Sequence, residues 1–388
     1  MKMITVGPDE GGPWSFGRKV ERSLAELEVP VKLAIVFLPI GAPHSKFLEE
    51  IGDVVQAPVV GATTGGAAFT ERGVSSTGAV CALLGGGDLE IVTAVARNIR
   101  ADPRRSVEIA MAEIQDSRSN QRVESGRQTS LLVLADAFAC DGEELVACLR
   151  QNVPIHCRIF GGTAGDDWSF KGTLVFAGRE ALSDAAVLVS MVHRQRLTID
   201  VLHGWCVAEG ARELTITDIE KNVLKTLDGR PAAEVYREEL SRLGLLGSDE
   251  DLIQALAQHE LGTRTPFGEQ LKIRAPLGIG ADGSITLASS LARGQRVSVV
   301  TTSPERLIGA AKSLSSRVFA TLPRVSGALV FDCAARRRLL GDRYGDEVRA
   351  FQGPGGHPMV GMACYGEIAK FGGNVESFHN TTAVMAGW

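Results

Sequence analysis

VVGATTGGAAF, residues 59–69, runs from a short apolar strand into a threonine pair and then a glycine pair. Glycine suits a strand exit because it takes φ > 0 or lets a second backbone come close. Upstream, LAIVFLPI (33–40) reads as a buried strand and SKFLEEIGDVV (45–55) as a helix. Before them SFGRKVERSLAEL (15–27) is amphipathic, and after the glycines TGAVCALLG (77–85) is again an apolar strand.

The same order returns twice. The second copy runs SVEIAMAEIQDSR (106–118), SLLVLADAF (130–138), DGEELVACLRQN (141–152), VPIHCRIFGGTAGDDWSF (153–170) and SDAAVLVSMV (183–192). The third runs SPERLIGAAKSLSSRVFA (303–320), GALVFDCAARRRLLG (327–341), HPMVGMACYGEIAKFGG (357–373) and NTTAVMA (380–386). The repeated unit is therefore helix, strand, helix, strand, small-residue turn, strand. Ser15, Ser106 and Ser303 are the expected N-caps of the leading helices. The fold class is α/β to α+β: mixed sheets layered with helices. Whether the units share a sheet is open at this point.

A different region separates the second and third copies. LTIDVLHGWCVAEG (197–210) reads as strands, DIEKNVLKTLDGRPAAEVYREEL (218–240) as strand, turn and helix start, and residues 236–262 as helical. LKIRAPLGIGADGSITLASSLARGQRVSVVTT (271–302) reads as three strands with hairpins at DG and RG. GIGADG (278–283) has the spacing of a dinucleotide fingerprint, but a strand follows it where the mechanism needs a helix. The main boundary is placed at 220/221, giving regions 1–220 and 221–388.

Bulk chemistry narrows the function. The chain has 388 residues, a net charge of −5 and 22% charged residues, with no basic footprint for nucleic acid or an anionic membrane. No apolar run is long enough to span a bilayer and no signal peptide is seen at the N-terminus. Seven cysteines without framework spacing read as reduced thiols of a cytoplasmic protein. No P-loop, nucleophile elbow or paired-histidine metal helix is present.

Seven motifs in order, VVGATTGGAAF, FGGTAGDDWSFKGTLVF (160–176), LDGRPAAEVY (227–236), ARGQRVSVV (292–300), LVFDCAARRRLLG (329–341), GMACYGEIA (361–369) and FHNTT (378–382), resemble the FIST sensory-domain family. The first region is similar to FIST-N and the second to FIST-C. The resemblance implies a bacterial signal-input module that binds a small molecule, with an amino acid as one candidate. It implies a separate signalling partner, such as a histidine kinase or chemoreceptor, and in some members a haem that responds to nitric oxide. No cofactor is required by the sequence itself, and no oligomeric state is set by it.

Carried over by residue, the resemblance places Cys333 and Arg336, Tyr365, Gly366 and Glu367, and His379, Asn380 and Thr382 at the ligand. It adds Gly161, Gly162, Gly165 and Asp166 in the second turn, and Thr63, Thr64 and Gly65 in the first. The first turn departs from the family where Ala62 and Ala67 replace a cysteine and a glutamate, which predicts a tighter, more apolar wall there.

The residues themselves suggest roles. Arg336 at a strand exit can clamp a carboxylate, and Glu367 can accept an ammonium, together holding an amino acid; a salt bridge from Arg336 to Glu347 or Glu367 is the alternative. Cys333 near arginines is a candidate reactive thiol and the nucleophile of an alternative enzyme reading. Trp168 and Phe170 can cover a pocket. For haem, His203 and His357 are the axial candidates. A plain interaction scaffold is a further alternative.

Overall fold

Each copy becomes a six-stranded sheet in the computed structural model, which describes residues 1–118, 126–247, 252–264, 271–371 and 375–388. In each sheet the two repeat strands around the second helix are parallel: Val31–Pro39 with Val59–Thr64, Gln128–Ala135 with Arg158–Thr163, and Ala328–Cys333 with Met359–Cys364. The other pairings are antiparallel, so the sheets are mixed, in line with the fold class read from the sequence. The leading helices are Pro13–Glu26, Pro103–Arg118 and Pro304–Ala320.

The long apolar runs follow from burial on both faces. In the first copy Leu33, Ile35 and Phe37 enter one central core, while Ala34, Val36 and Leu38 face the copy's own helices. The other copies divide in the same way: Leu132 and Leu134 against Leu131 and Val133, then Leu329 and Phe331 against Ala328 and Val330. The central core is thus shared by three sheets, and Phe37 meets Phe331 edge-on across it at 6.2 Å.

Sequence reading did not find two features. Each sheet has a leading edge strand: Lys2–Asp9 and Glu90–Arg97, which were not read as strands, and Thr198–Leu202, which was read as a strand but placed in the separate region. Each copy also sends a hairpin into a neighbour's sheet. The hairpin Ala68–Thr70/Gly73–Ser75 of the first copy completes the third sheet, and Val175–Ala177/Glu180–Leu182 of the second completes the first. Gly366–Phe371/Val375–His379 of the third completes the second sheet. The exchange closes a ring, which no local pattern announces because every pairing is long-range.

The glycine turns sit where the ring closes. The Gly65 amide donates to the Ala363 carbonyl (2.7 Å), the Gly165 amide to that of Thr63 (2.9 Å), and the Tyr365 amide to that of Thr163 (3.3 Å). Three equivalent residues thereby tie three copies in a cycle. A Cβ on Gly165 would lie 2.4 Å from the Gly65 nitrogen, so glycine here serves close backbone approach.

The inserted region folds on a separate nine-stranded sheet with the helices Ala232–Arg242 and Leu252–Leu256 and its own core. Residues 219 and 220 end the strand Leu214–Glu220, which residues 221 and 222 join to its partner Val223–Leu227, so both sides of the 220/221 division share this sheet. The span read as helical to 262 turns into the strand Glu260–Arg264, and residues 248–251 lie outside the described residues. GIGADG is a hairpin turn between Pro276–Ile279 and Ile285–Leu287. The RG turn leads into Arg296–Thr301, which pairs with Leu214–Glu220 and Glu260–Arg264 rather than with the preceding strand. The stretch therefore holds four strands instead of three.

Ser303 caps its helix by accepting from the Arg306 amide. The other two caps differ. Gly12 precedes Pro13 at the start of the first helix, and the Asp102 carboxylate accepts from the Arg105 amide in the second. In both, proline at the first helical position moves the start ahead of the serine.

Candidate functional site

Two cavities of about 630 Å³ each open between the inserted sheet and the ends of the parallel strands in the second and third copies. Such strand ends are the favoured ligand position in α/β sheets. The inserted sheet is fastened beside them by Asp141, whose carboxylate accepts from the Ser290 amide (2.9 Å) and Ser289 hydroxyl (3.0 Å), and by Glu143, paired with Lys272 (2.6 Å) and Arg274.

An aromatic cluster divides the cavities. Trp168 and Phe170 line both, while Phe138 and Tyr365 line the second. Phe170 stacks on Tyr365 at 5.3 Å and 23°, Trp168 meets Tyr365 at 5.7 Å, and the Arg338 guanidinium lies 5.4 Å from the centre of the Trp168 ring. Both loop aromatics have left-handed backbones, φ 67° at Trp168 and 51° at Phe170. Asp166 holds that loop, accepting from the Lys171 amide (2.9 Å), the Phe170 amide (3.3 Å), the Ser169 hydroxyl (2.9 Å) and the Tyr365 phenol. Partial burial would raise the Asp166 carboxyl, but these hydrogen bonds outweigh it and hold the group below its ordinary range. Asp166 therefore shapes the wall.

The floor of the second cavity comes from Cys333, Thr163, Asn380 and Thr381. Asn380 is 1% exposed, and neither its Oδ1 nor its Nδ2 has a hydrogen-bond partner in the protein. The buried Thr163 hydroxyl is unmatched as well. Thr381 is left-handed (φ 50°), and its hydroxyl donates to Glu260 at 2.7 Å. Burial pushes the Glu260 carboxyl up to about 8 despite that hydrogen bond.

The other carried-over residues lie behind this floor or away from it. Arg336 is fully buried. Its guanidinium pairs with Asp332 (2.9 Å) and Glu347, and donates to the Leu307 carbonyl (3.1 Å) and the His203 carbonyl (2.5 Å). The carboxylate clamp expected of Arg336 gives way to the salt bridge with Glu347. Glu367 is also fully buried; it accepts from the Thr382 amide (3.2 Å) and the Cys364 thiol (3.3 Å), and burial first of all pushes its carboxyl up. The two charges that would grip an amino acid are thus enclosed. Burial, with Glu367 adding to it, likewise pushes the Cys333 thiol well up, so the low-pKa thiol expected beside arginines is not what the fold makes.

Thr63, Thr64 and Gly65 line neither cavity and pack at the crossing of the three copies, as Gly165 does. Ala62 and Ala67 are fully buried in apolar packing. Gly161 sits against the Val133 carbonyl, Gly162 against Phe331 and Cys364, and Gly366 against the Phe378 ring. The Thr382 hydroxyl donates to the Asn380 carbonyl (2.7 Å) and thereby fixes the backbone of the floor. His379 faces Ser377 (3.3 Å), and burial lowers it to about 3.

The haem candidates do not fit a haem. His203 borders a more open cleft of about 470 Å³, where its Nδ1 accepts from the Trp205 amide (2.9 Å) and burial, then Arg336, lowers it to about 4. His357 packs edge-on against Phe319 at 5.3 Å and lines none of the three hollows. No step is assigned to haem. Among the described residues no group of three or more His, Cys, Asp or Glu side chains is arranged to hold a metal ion, and no helix is long and apolar enough to cross a membrane.

Sequence reading missed Thr163, Thr381, Phe138, Glu260 and Arg338. Thr163 and Phe138 lie in stretches already marked as strand exits, one residue from Gly162 and three beyond Ala135. Glu260 and the inserted residues Leu277 and Ile253, exposed at the cavities, carry no local signal. Residues 32–230 match the FIST N domain and 232–370 the FIST C domain. No curated protein matches the chain. FIST domains are sensory domains of signal transduction.

Proposed function

The chain belongs to the FIST family, and from that premise we propose that it senses a small molecule held in the cavities between the inserted sheet and the three-copy body. One observation carries the reading: Asn380, buried, with both ends of its amide unpartnered, lines a 630 Å³ space. A buried amide without a partner costs roughly 1–3 kcal/mol, a cost that a ligand relieves. Cavity position supports signalling, because an occupant touches both the body and the inserted sheet. Occupancy then favours one setting of the inserted sheet, and a separate signalling protein reads the changed surface. Seven free thiols support a reducing, cytoplasmic setting. Nucleophilic chemistry at Cys333 is disfavoured, since burial keeps its thiol protonated.

Native mass spectrometry of freshly purified protein, with an absorption spectrum, tests this. The expected result is a stoichiometric small adduct, lost on denaturation and absent from Asn380→Leu. An adduct retained in that variant refutes the assignment of the site, and a Soret band redirects the reading to haem.

A further inference from the structure

Large apolar side chains left in water gather at the first cavity. Of the seven that are exposed among the described residues, Phe170, Ile253 and Leu277 line it. Ile253 is 57% exposed and Leu277 51%. Single exposed apolar residues need no explanation, but a set that shares one hollow marks a place for an apolar partner. Leu256, Pro276, Leu307 and Leu339 continue the same wall. One face of the Phe170 ring rests on Tyr365 while the residue stays 48% exposed, so part of the ring remains open to an occupant.

Charge in this cavity is one-sided. Its titratable lining groups are Arg338, His259 and Glu260. Arg338 is exposed on the helix Ala334–Leu340, and its guanidinium lies over the Trp168 ring without an ion pair among the described residues. Glu260 is 2% exposed and accepts from the Thr381 hydroxyl, and burial keeps it protonated at neutral pH. An imidazole, neutral or positive, attracts no ammonium. The cavity thus presents a cation to its occupant and no negative charge to balance it. A guanidinium holds a carboxylate through two parallel N–H bonds. A phosphate monoester carries more charge than one such cation neutralises.

The geometry points to an amphipathic carboxylate as the occupant of the first cavity, its head on the Arg338 guanidinium and its apolar body against Ile253, Leu277 and Phe170. The inference rests on the reading of the cavities as the ligand site. It departs from an amino-acid ligand, whose ammonium finds no anion on these walls.

Isothermal titration of the full chain at pH 7 is the test. Three carboxylates, phenylacetate, indole-3-acetate and octanoate, are compared with the matching amines, phenethylamine, tryptamine and octylamine, and with phenylalanine and tryptophan. We expect binding by at least one carboxylate and by none of the amines or amino acids. Arg338→Gln weakens that carboxylate about ten- to a hundred-fold, and Leu277→Ser about five- to ten-fold. Both side chains are exposed, so neither change removes core packing, and thermal unfolding should stay level. Amines or amino acids that bind as tightly as the carboxylates overturn the inference and leave the sensor reading intact. Carboxylate binding that both variants leave unchanged overturns it too, by placing the ligand elsewhere. If no compound binds while native mass spectra show an adduct, only the ligand class falls; if no adduct is seen either, both readings fall.

Discussion

Two buried polar clusters of the third copy, centred on Arg336 and Asn380, behave in opposite ways. Around Arg336 the guanidinium meets two carboxylates and two backbone carbonyls, all inside the protein. Around Asn380 the side-chain amide meets nothing. Both sites are almost wholly shielded from water. The first is held by ion pairs inside the fold, although both Asp332 oxygens, Arg336 Nε and Glu347 Oε2 have no hydrogen-bond partner there. The second is left open, and a fold tolerates that where a ligand or water completes it.

The sharpest way to break this contrast is Arg336→Met. It leaves Asp332 and Glu347 buried without their cation, and we expect a loss of about 3–5 kcal/mol, read by urea unfolding. A loss under ~1 kcal/mol would mean that the cluster is not the closed structural element described.

Glu260 tests the open side through pH. Its carboxyl titrates at about 8 in the folded chain against an ordinary 4.5, so the folded state holds the extra proton between those values. Stability is then full below pH 4.5 and falls as pH rises toward 8, by up to about 1.4 kcal/mol per unit for one proton. His203 and His379, lowered to about 4 and 3, act oppositely: their contribution is present above pH 6.5 and lost as pH falls. The Glu260 effect is therefore read between pH 6.5 and 8, where Glu367, also pushed up to about 8, declines in parallel, so Glu260→Gln should make the decline shallower without abolishing it. An unchanged slope in that variant would remove Glu260 from the account.

Gly165→Ala probes the crossing of the copies, a site that neither cluster touches. Its Cβ would fall 2.4 Å from the Gly65 nitrogen, and displacing backbone there should destabilise by roughly 1–3 kcal/mol. Thermal unfolding with unchanged ligand binding is the expected pair of results. The smallest effect belongs to Asn380→Leu, which removes an unpartnered amide and should leave stability level or raise it by about 1 kcal/mol. A drop of several kcal/mol would show that the amide has a structural partner after all and erase the contrast.

The repeat was legible because each strand is buried on both faces, which writes continuous apolar runs such as LAIVFL, and because leading helices carry apolar stripes at helical spacing. Turn positions were legible through glycine. Their use was not. Thr63, Thr64 and Gly65 share a local pattern with the second turn, yet they pack at the crossing while Thr163, Trp168 and Phe170 face a cavity. Asn380 was named as a ligand contact, but Phe138 and Glu260 were not, because Phe138 meets Phe170 and Tyr365 only where the second and third copies pack, and Glu260 meets Thr381 only through the docking of the inserted sheet.

The sequence by itself determined three similar units, their mixed strand order, the separate inserted region and the places where the chain turns. Local propensity and burial period act over a few residues and leave their mark in order. Only the tertiary structure decided the cyclic exchange of hairpins, the closure of Arg336 by Glu347, and the open floor at Asn380. Those depend on which distant groups meet inside a dry core, where a buried charge needs a partner and an unmatched polar group carries a desolvation cost.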